Sequence, residues 1–187
     1  MTALAFFDRS RNLTWEIQAF FFLSNTYFEM GEYERAEEYY ERTGSLLEDS
    51  QFSHSFLNAS KIYLAISRTL SGNRKFNLND LTDNFQKIKH RIMEGSVVRY
   101  IGMALLHIDD QHVGEAEDWI KKAIKVNGTN DMRWSLGRDY ALYAELYRRK
   151  GAQSGAKENL IKAIDILREC GADGWVEKYE KELASVS

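Results

Sequence analysis

The stretch FFFLSNTYFEMGEYERAEEYY, residues 20–40, decides the fold. Phe20, Leu23 and Tyr27 recur at steps of three and four residues, the period of one face of an α-helix. Gly31 then interrupts the run, and Tyr33, Ala36 and Tyr40 resume the period beyond it. A glycine just past a helical run suits a left-handed C-terminal cap. Ser24 and Ala36 are the small residues on the two inward faces. Small side chains there let two backbones approach near the turn. The stretch therefore encodes a helix, a tight turn and a second helix folded back on the first.

The pattern returns along the chain. In AELYRRKGAQSGAKENL, residues 144–160, Tyr147, Gly151, Ala156 and Leu160 each follow Tyr27, Gly31, Ala36 and Tyr40 by 120 residues. In ALLHIDDQHVGEAEDWI, residues 104–120, Ala104, Ala116 and Ile120 precede Ala144, Ala156 and Leu160 by 40. A period near 40 leaves room for one more copy. Two amphipathic runs supply it: 53–70, with Phe56, Ala59, Tyr63 and Ile66, and 79–93, with Leu81, Phe85, Ile88 and Ile92. Asn79 is the expected cap of the latter, and Asn127-Gly128 the expected stop of the helix before residue 128. Helices are expected at 13–30, 33–48, 53–70, 79–93, 97–110, 113–126, 132–150, 153–170 and 174–185. Ser24 with Ala36, Ala104 with Ala116, and Ala144 with Ala156 mark the expected helix crossings. A lone pair cannot bury its apolar face, so the pairs must stack.

The expected fold is all-α, a right-handed α-α superhelix. It has about four helix pairs, at 15–50, 51–94, 96–128 and 132–171, and a terminal helix at 173–186. All 187 residues form one domain. Residues 1–12 read as the tail of a preceding repeat, as expected of a chain cut from a longer solenoid.

The spacing Phe20-x2-Leu23-Ser24-x2-Tyr27-x3-Gly31-x-Tyr33-x2-Ala36-x3-Tyr40 resembles the tetratricopeptide repeat. The third copy departs from it with Gln111 in place of the glycine, and the fourth with Gln153 in place of the aromatic. The links and the ending AIDILRECGADGWVEKYEKELA are similar to the C-terminal arrays of large bacterial signalling proteins. These include ATPase proteins with a nucleotide cyclase domain and LuxR-type regulators. The resemblance implies a protein-interaction scaffold that serves as a regulatory or sensor region. Its partner would be a protein or peptide, helical or extended, another domain of the parent protein, or a second copy. The resemblance further implies that the first helix of each pair lines a groove. Phe21, Asn25 and Phe28 fall there in the first copy, and Leu57 and Lys61 in the second. Ile101 and Leu105 follow in the third, and Glu145, Arg148 and Arg149 in the fourth. The apolar members would form a docking strip, with Arg148 and Arg149 engaging acidic residues.

Other functions find little support. A net charge of −3 with no basic stripe argues against nucleic acid. No apolar run reaches the ~20 residues that span a bilayer. Cys170 is the single cysteine, in keeping with a reducing cytoplasm. It is expected to be partly buried and passive. No phosphate-binding loop or nucleophile elbow occurs, so neither a cofactor nor an enzymatic activity is expected. The strongest metal candidate is His107-x-Asp109-Asp110-x-His112. There His107 stands in the place of the repeat's inward tyrosine, and a structural role is expected. A solenoid that senses a small-molecule effector and a metal-dependent hydrolase are the alternatives.

Overall fold

The computed structural model describes residues 13–48, 54–72, 77–89 and 91–186. The expected tail at 1–12 lies outside them. Among the described residues every regular element is helical: α1 (Leu13–Glu29), α2 (Tyr33–Glu48), α3 (His54–Leu70), α4 (Leu78–Gln86) and α5 (Arg91–Ile108). A 3-10 turn (Asp110–His112) leads to α6 (Val113–Thr129), α7 (Arg133–Arg149), α8 (Gln153–Glu169) and α9 (Asp173–Ser185). None is long and apolar enough to cross a membrane. The chain divides into two compact units, Met1–Met93 and Glu94–Ser187.

In the first unit α1 packs on α2, α2 on α3 and α3 on α4. Ser24 and Ala36 are fully buried at the α1–α2 crossing. The Ser24 hydroxyl satisfies itself on the Phe20 carbonyl at 2.6 Å. Beside them the Phe21 ring lies 6.3 Å from Tyr40, 5.3 Å from Phe56 and 5.9 Å from Tyr63, centroid to centroid. Tyr40 stacks on Tyr63 and donates its hydroxyl to Asn25 Oδ1 at 2.8 Å.

The second unit repeats the plan: α6 packs on α7, α7 on α8 and α8 on α9. Ala144 and Ala156 meet at the α7–α8 crossing, over a core of Leu160, Ala163, Ile164, Leu167, Val176 and Tyr179. This is the stacked helix-pair architecture of a tetratricopeptide-like solenoid, present in each unit. Ala36→Leu, Ala116→Leu and Ala156→Leu should each lower stability by roughly 1–3 kcal/mol through overpacking. Urea melts check this through their midpoints.

The turn at Gly31 has the expected left-handed backbone, with φ of 78°. Gly31 N donates to the Phe28 carbonyl and Glu32 N to the Tyr27 carbonyl, which closes the helix end. The stop near Asn127-Gly128 is corrected. Helix α6 runs on to Thr129, and Asp131 takes the left-handed conformation with φ of 53°. Asn127 is instead buried, with its amide donating to Asp139 Oδ2 at 2.6 Å.

The helix expected at 79–93 is also corrected. It ends at Gln86, where Lys87 N and Ile88 N fold back onto the Asn84 and Phe85 carbonyls. The next helix begins at Arg91, so the boundary between second and third copies falls before residue 91. The cap is Asn77, not Asn79: its side chain accepts from Asn79 N at 3.0 Å and Asp80 N at 3.5 Å.

A third correction concerns the register of α5. A Cβ on Gly102 would meet Ile120 Cγ1 at 2.9 Å, Ile120 N at 3.3 Å and the Ala116 carbonyl at 3.4 Å. The close approach of α5 to α6 is therefore made by Gly102, two residues before the expected Ala104. Two residues turn a helix through about 200°, so side chains assigned to one face lie on the other. Gly→Ala normally stabilises a helix by up to ~1 kcal/mol. Gly44→Ala in α2, with open space around its Cβ, should show that gain. Gly102→Ala should forfeit it, and thermal melts of the two variants should shift in different senses.

Candidate partner-binding surfaces

On the first unit the polar groove candidates are accessible. Lys61 is exposed and pairs with Glu48 at 2.8 Å. Asn25 and Leu57 are half-buried, and Asn25 is held by Tyr40. The aromatic candidates are different. Phe21 and Phe28 are interior side chains, 7% and 3% exposed. Phe21 fills the gap between α1 and α3, and Phe28 packs edge-on against Tyr33 at 5.4 Å. The expected apolar strip is thus closed here, because bulky rings at these positions reach the neighbouring helices.

On the second unit the same correction applies to Ile101 and Leu105, both fully buried by the 200° turn of α5. That turn brings out His107, read from sequence as an inward residue. Its Nε2 lies 3.3 Å from Glu145 Oε1 on α7. Arg149 donates from Nε and Nη2 to Asp110 Oδ1, at 3.1 and 2.8 Å. Arg148 is exposed. Glu182 on α9 is half-buried within the field of Lys178, Arg148 and Glu145, and burial raises its carboxyl above the ordinary range. The accessible surface of these helices is therefore a row of mixed charge. Met103 and His107 replace the aliphatic residues expected on α5. The pair Ile101-Gly102 was the available signal, since glycine is the smallest residue on that helix face.

Behind the row lies a buried polar cluster that sequence reading missed. Arg99 and Asp139 are 3% and 0% exposed, and Arg99 Nη1 donates to Asp139 Oδ1 at 3.3 Å. Asn127 supplies the second donor to the carboxylate. Burial pushes the Asp139 carboxyl up to about 6, against the opposing pull of Arg99 and Asn127. Arg138 lies over Trp175 at 4.2 Å and Trp134 at 5.0 Å and hydrogen-bonds Tyr179. Glu117 on α6 takes hydrogen bonds from Lys121, Lys150 and Tyr143. The two lysines hold its carboxyl well down, at about 2.

The metal candidates separate. His112 Nδ1 faces Asp109 Oδ1 at 2.7 Å, while His107 faces Glu145. Asp109 also accepts from Gln111 N and His112 N, so its role is to cap the 3-10 turn. Among the described residues no group of three or more such side chains could hold a metal ion. Cys170 is exposed at the end of α8, not partly buried as expected.

A comparison with curated proteins finds no match. Residues 17–42 match the model of the tetratricopeptide repeat family, so the α1–α2 pair is similar in sequence to the repeat whose stacking both units display.

Proposed function

We propose that the chain is a protein-binding scaffold that serves as a regulatory or sensor region of a larger bacterial signalling protein. The observation that supports it is the stacked helix-pair architecture, with a tetratricopeptide match at 17–42 and accessible side chains at Lys61, His107, Arg148 and Arg149 on α3, α5 and α7. Repeats of this family generally mediate protein–protein interaction. Here the surface they offer is polar, with Lys61 on the first unit and His107, Glu145, Arg148 and Arg149 on the second. Such a surface suits a peptide or domain that carries both charges, and rim charges set orientation and on-rate more than affinity.

The test is site-specific photocrosslinking in the intact parent protein. A photoreactive residue at Lys61 or at Arg148 should capture a defined polypeptide, while one at Lys157 on the far side of α8 should not. Arg148→Glu should then reduce capture, with an effect that shrinks as salt rises. Equal capture from Lys157 would remove the support for this surface.

A further inference from the structure

Three helices of the second unit bring titratable side chains to one accessible face. His107 on α5 lies opposite Glu145 on α7, Nε2 to Oε1 at 3.3 Å, and both side chains are partly exposed. Glu145 shares the field of Glu182 on α9, together with Arg148 on α7 and Lys178 on α9. Lys178 and Glu182 stand one helical turn apart, and Lys178 rests over the Trp175 ring at 5.0 Å.

The neighbouring elements bring their charges to other places. Helix α6 meets α5 on the Gly102 side through Ala116 and Ile120, which are uncharged. Asp110, just past α5, is held by Arg149. The ion pair between α8 and α9, Arg168 to Glu180 at 2.8 Å, lies about 200° round α9 from Glu182. Tyr179 lies in the field of Glu182 and hydrogen-bonds Arg138. The row therefore sets the carboxylates of Glu145 and Glu182 against the cations of Arg148 and Lys178, with His107 beside them.

Such a row changes charge with pH in one sense only. Histidine is the side chain whose charge ordinarily changes between about pH 5 and 8. A proton on His107 turns its contact with Glu145 into an ion pair and tips the row towards positive charge. Glu182 is half-buried, and burial, with Glu145 nearby, raises its carboxyl above the ordinary range. Its protonation removes a negative charge, so both events make the row more cationic as pH falls.

We propose that the His107–Glu145–Arg148–Glu182 cluster is an acid-sensitive docking surface, which binds an acidic segment of a partner polypeptide more tightly as pH falls below neutral. The proposal rests on the polar row of the proposed function and adds its partner's charge and its regulation.

The probe is a fluorescent aspartate-rich peptide, which keeps its charge at about pH 5.5 and 7.5 alike. It is titrated into the whole chain by anisotropy at those two pH values and fixed ionic strength. Affinity should rise about fivefold at the lower pH, the effect of one unit charge roughly 4 Å from another in water. His107→Gln should bind as the parent does at the higher pH and lose most of the gain. Glu182→Gln should already bind more tightly at the higher pH and gain less. His54→Gln, on the first unit, should keep the whole gain. Thermal melts should show all three variants folded at both pH values. Equal affinity of the parent at the two pH values overturns the proposal, as does the absence of saturable binding at the lower one. So does an undiminished gain in His107→Gln, a lost gain in His54→Gln, or parental behaviour of Glu182→Gln. Crosslinking from Arg148 that persists without any pH response overturns this proposal and leaves the scaffold reading standing.

Discussion

Asp139→Leu should destabilise the second unit by about 3–5 kcal/mol, because it strands the Arg99 guanidinium in the interior without its counter-charge. The carboxylate is fully buried, and Arg99 and Asn127 both donate to it. The double variant Arg99→Met, Asp139→Leu should recover most of the loss, since no charge is then buried alone. Urea unfolding of the two singles and the double completes the cycle. Asp139 also predicts a pH dependence. Its folded carboxyl titrates at about 6 against an ordinary 3.8, so the folded state holds the extra proton between those values. Stability from this group is therefore full below about pH 4 and falls as pH rises towards 6. Asp139→Asn should flatten that fall, and denaturation midpoints at pH 4 and 7 for both proteins measure it. Glu117 acts with the opposite sign: held at about 2, it favours the fold above its ordinary value of 4.5 and ceases to do so as pH drops towards 2.

Phe21→Ala should cost about 3–5 kcal/mol of folding stability, and Leu105→Ala about 2–5 kcal/mol. Both residues were candidates for a binding strip, for which truncation would weaken a partner and leave the fold alone. The structure places Phe21 among three aromatic rings and Leu105 wholly out of solvent. Melting curves of the isolated chain decide between the two roles without any partner. Unchanged midpoints would return these side chains to the surface.

The helical class and the pairing of helices were legible from the sequence alone. Period-3.6 apolar runs, glycines at the two strongest turns and small residues at the crossings are local signals, and each has one physical reading. The same signals placed α1, α2, α7 and α8 within about a residue of their bounds. What tertiary structure decided was rotation. Ala104 and Gly102 are both small, and a helix with either at the crossing satisfies the same periodicity. Only contact with Ile120 and Ala116 chose Gly102, and with it turned His107 outward and Ile101 inward. The aromatic side chains of α1 follow the same logic. Phe21 and Phe22 are adjacent and chemically identical, yet one is 7% and the other 64% exposed. A neighbouring helix covers the first and not the second. Nor could the buried Arg99–Asp139 pair be read from spacing: its members are 40 residues apart on helices that only packing brings together.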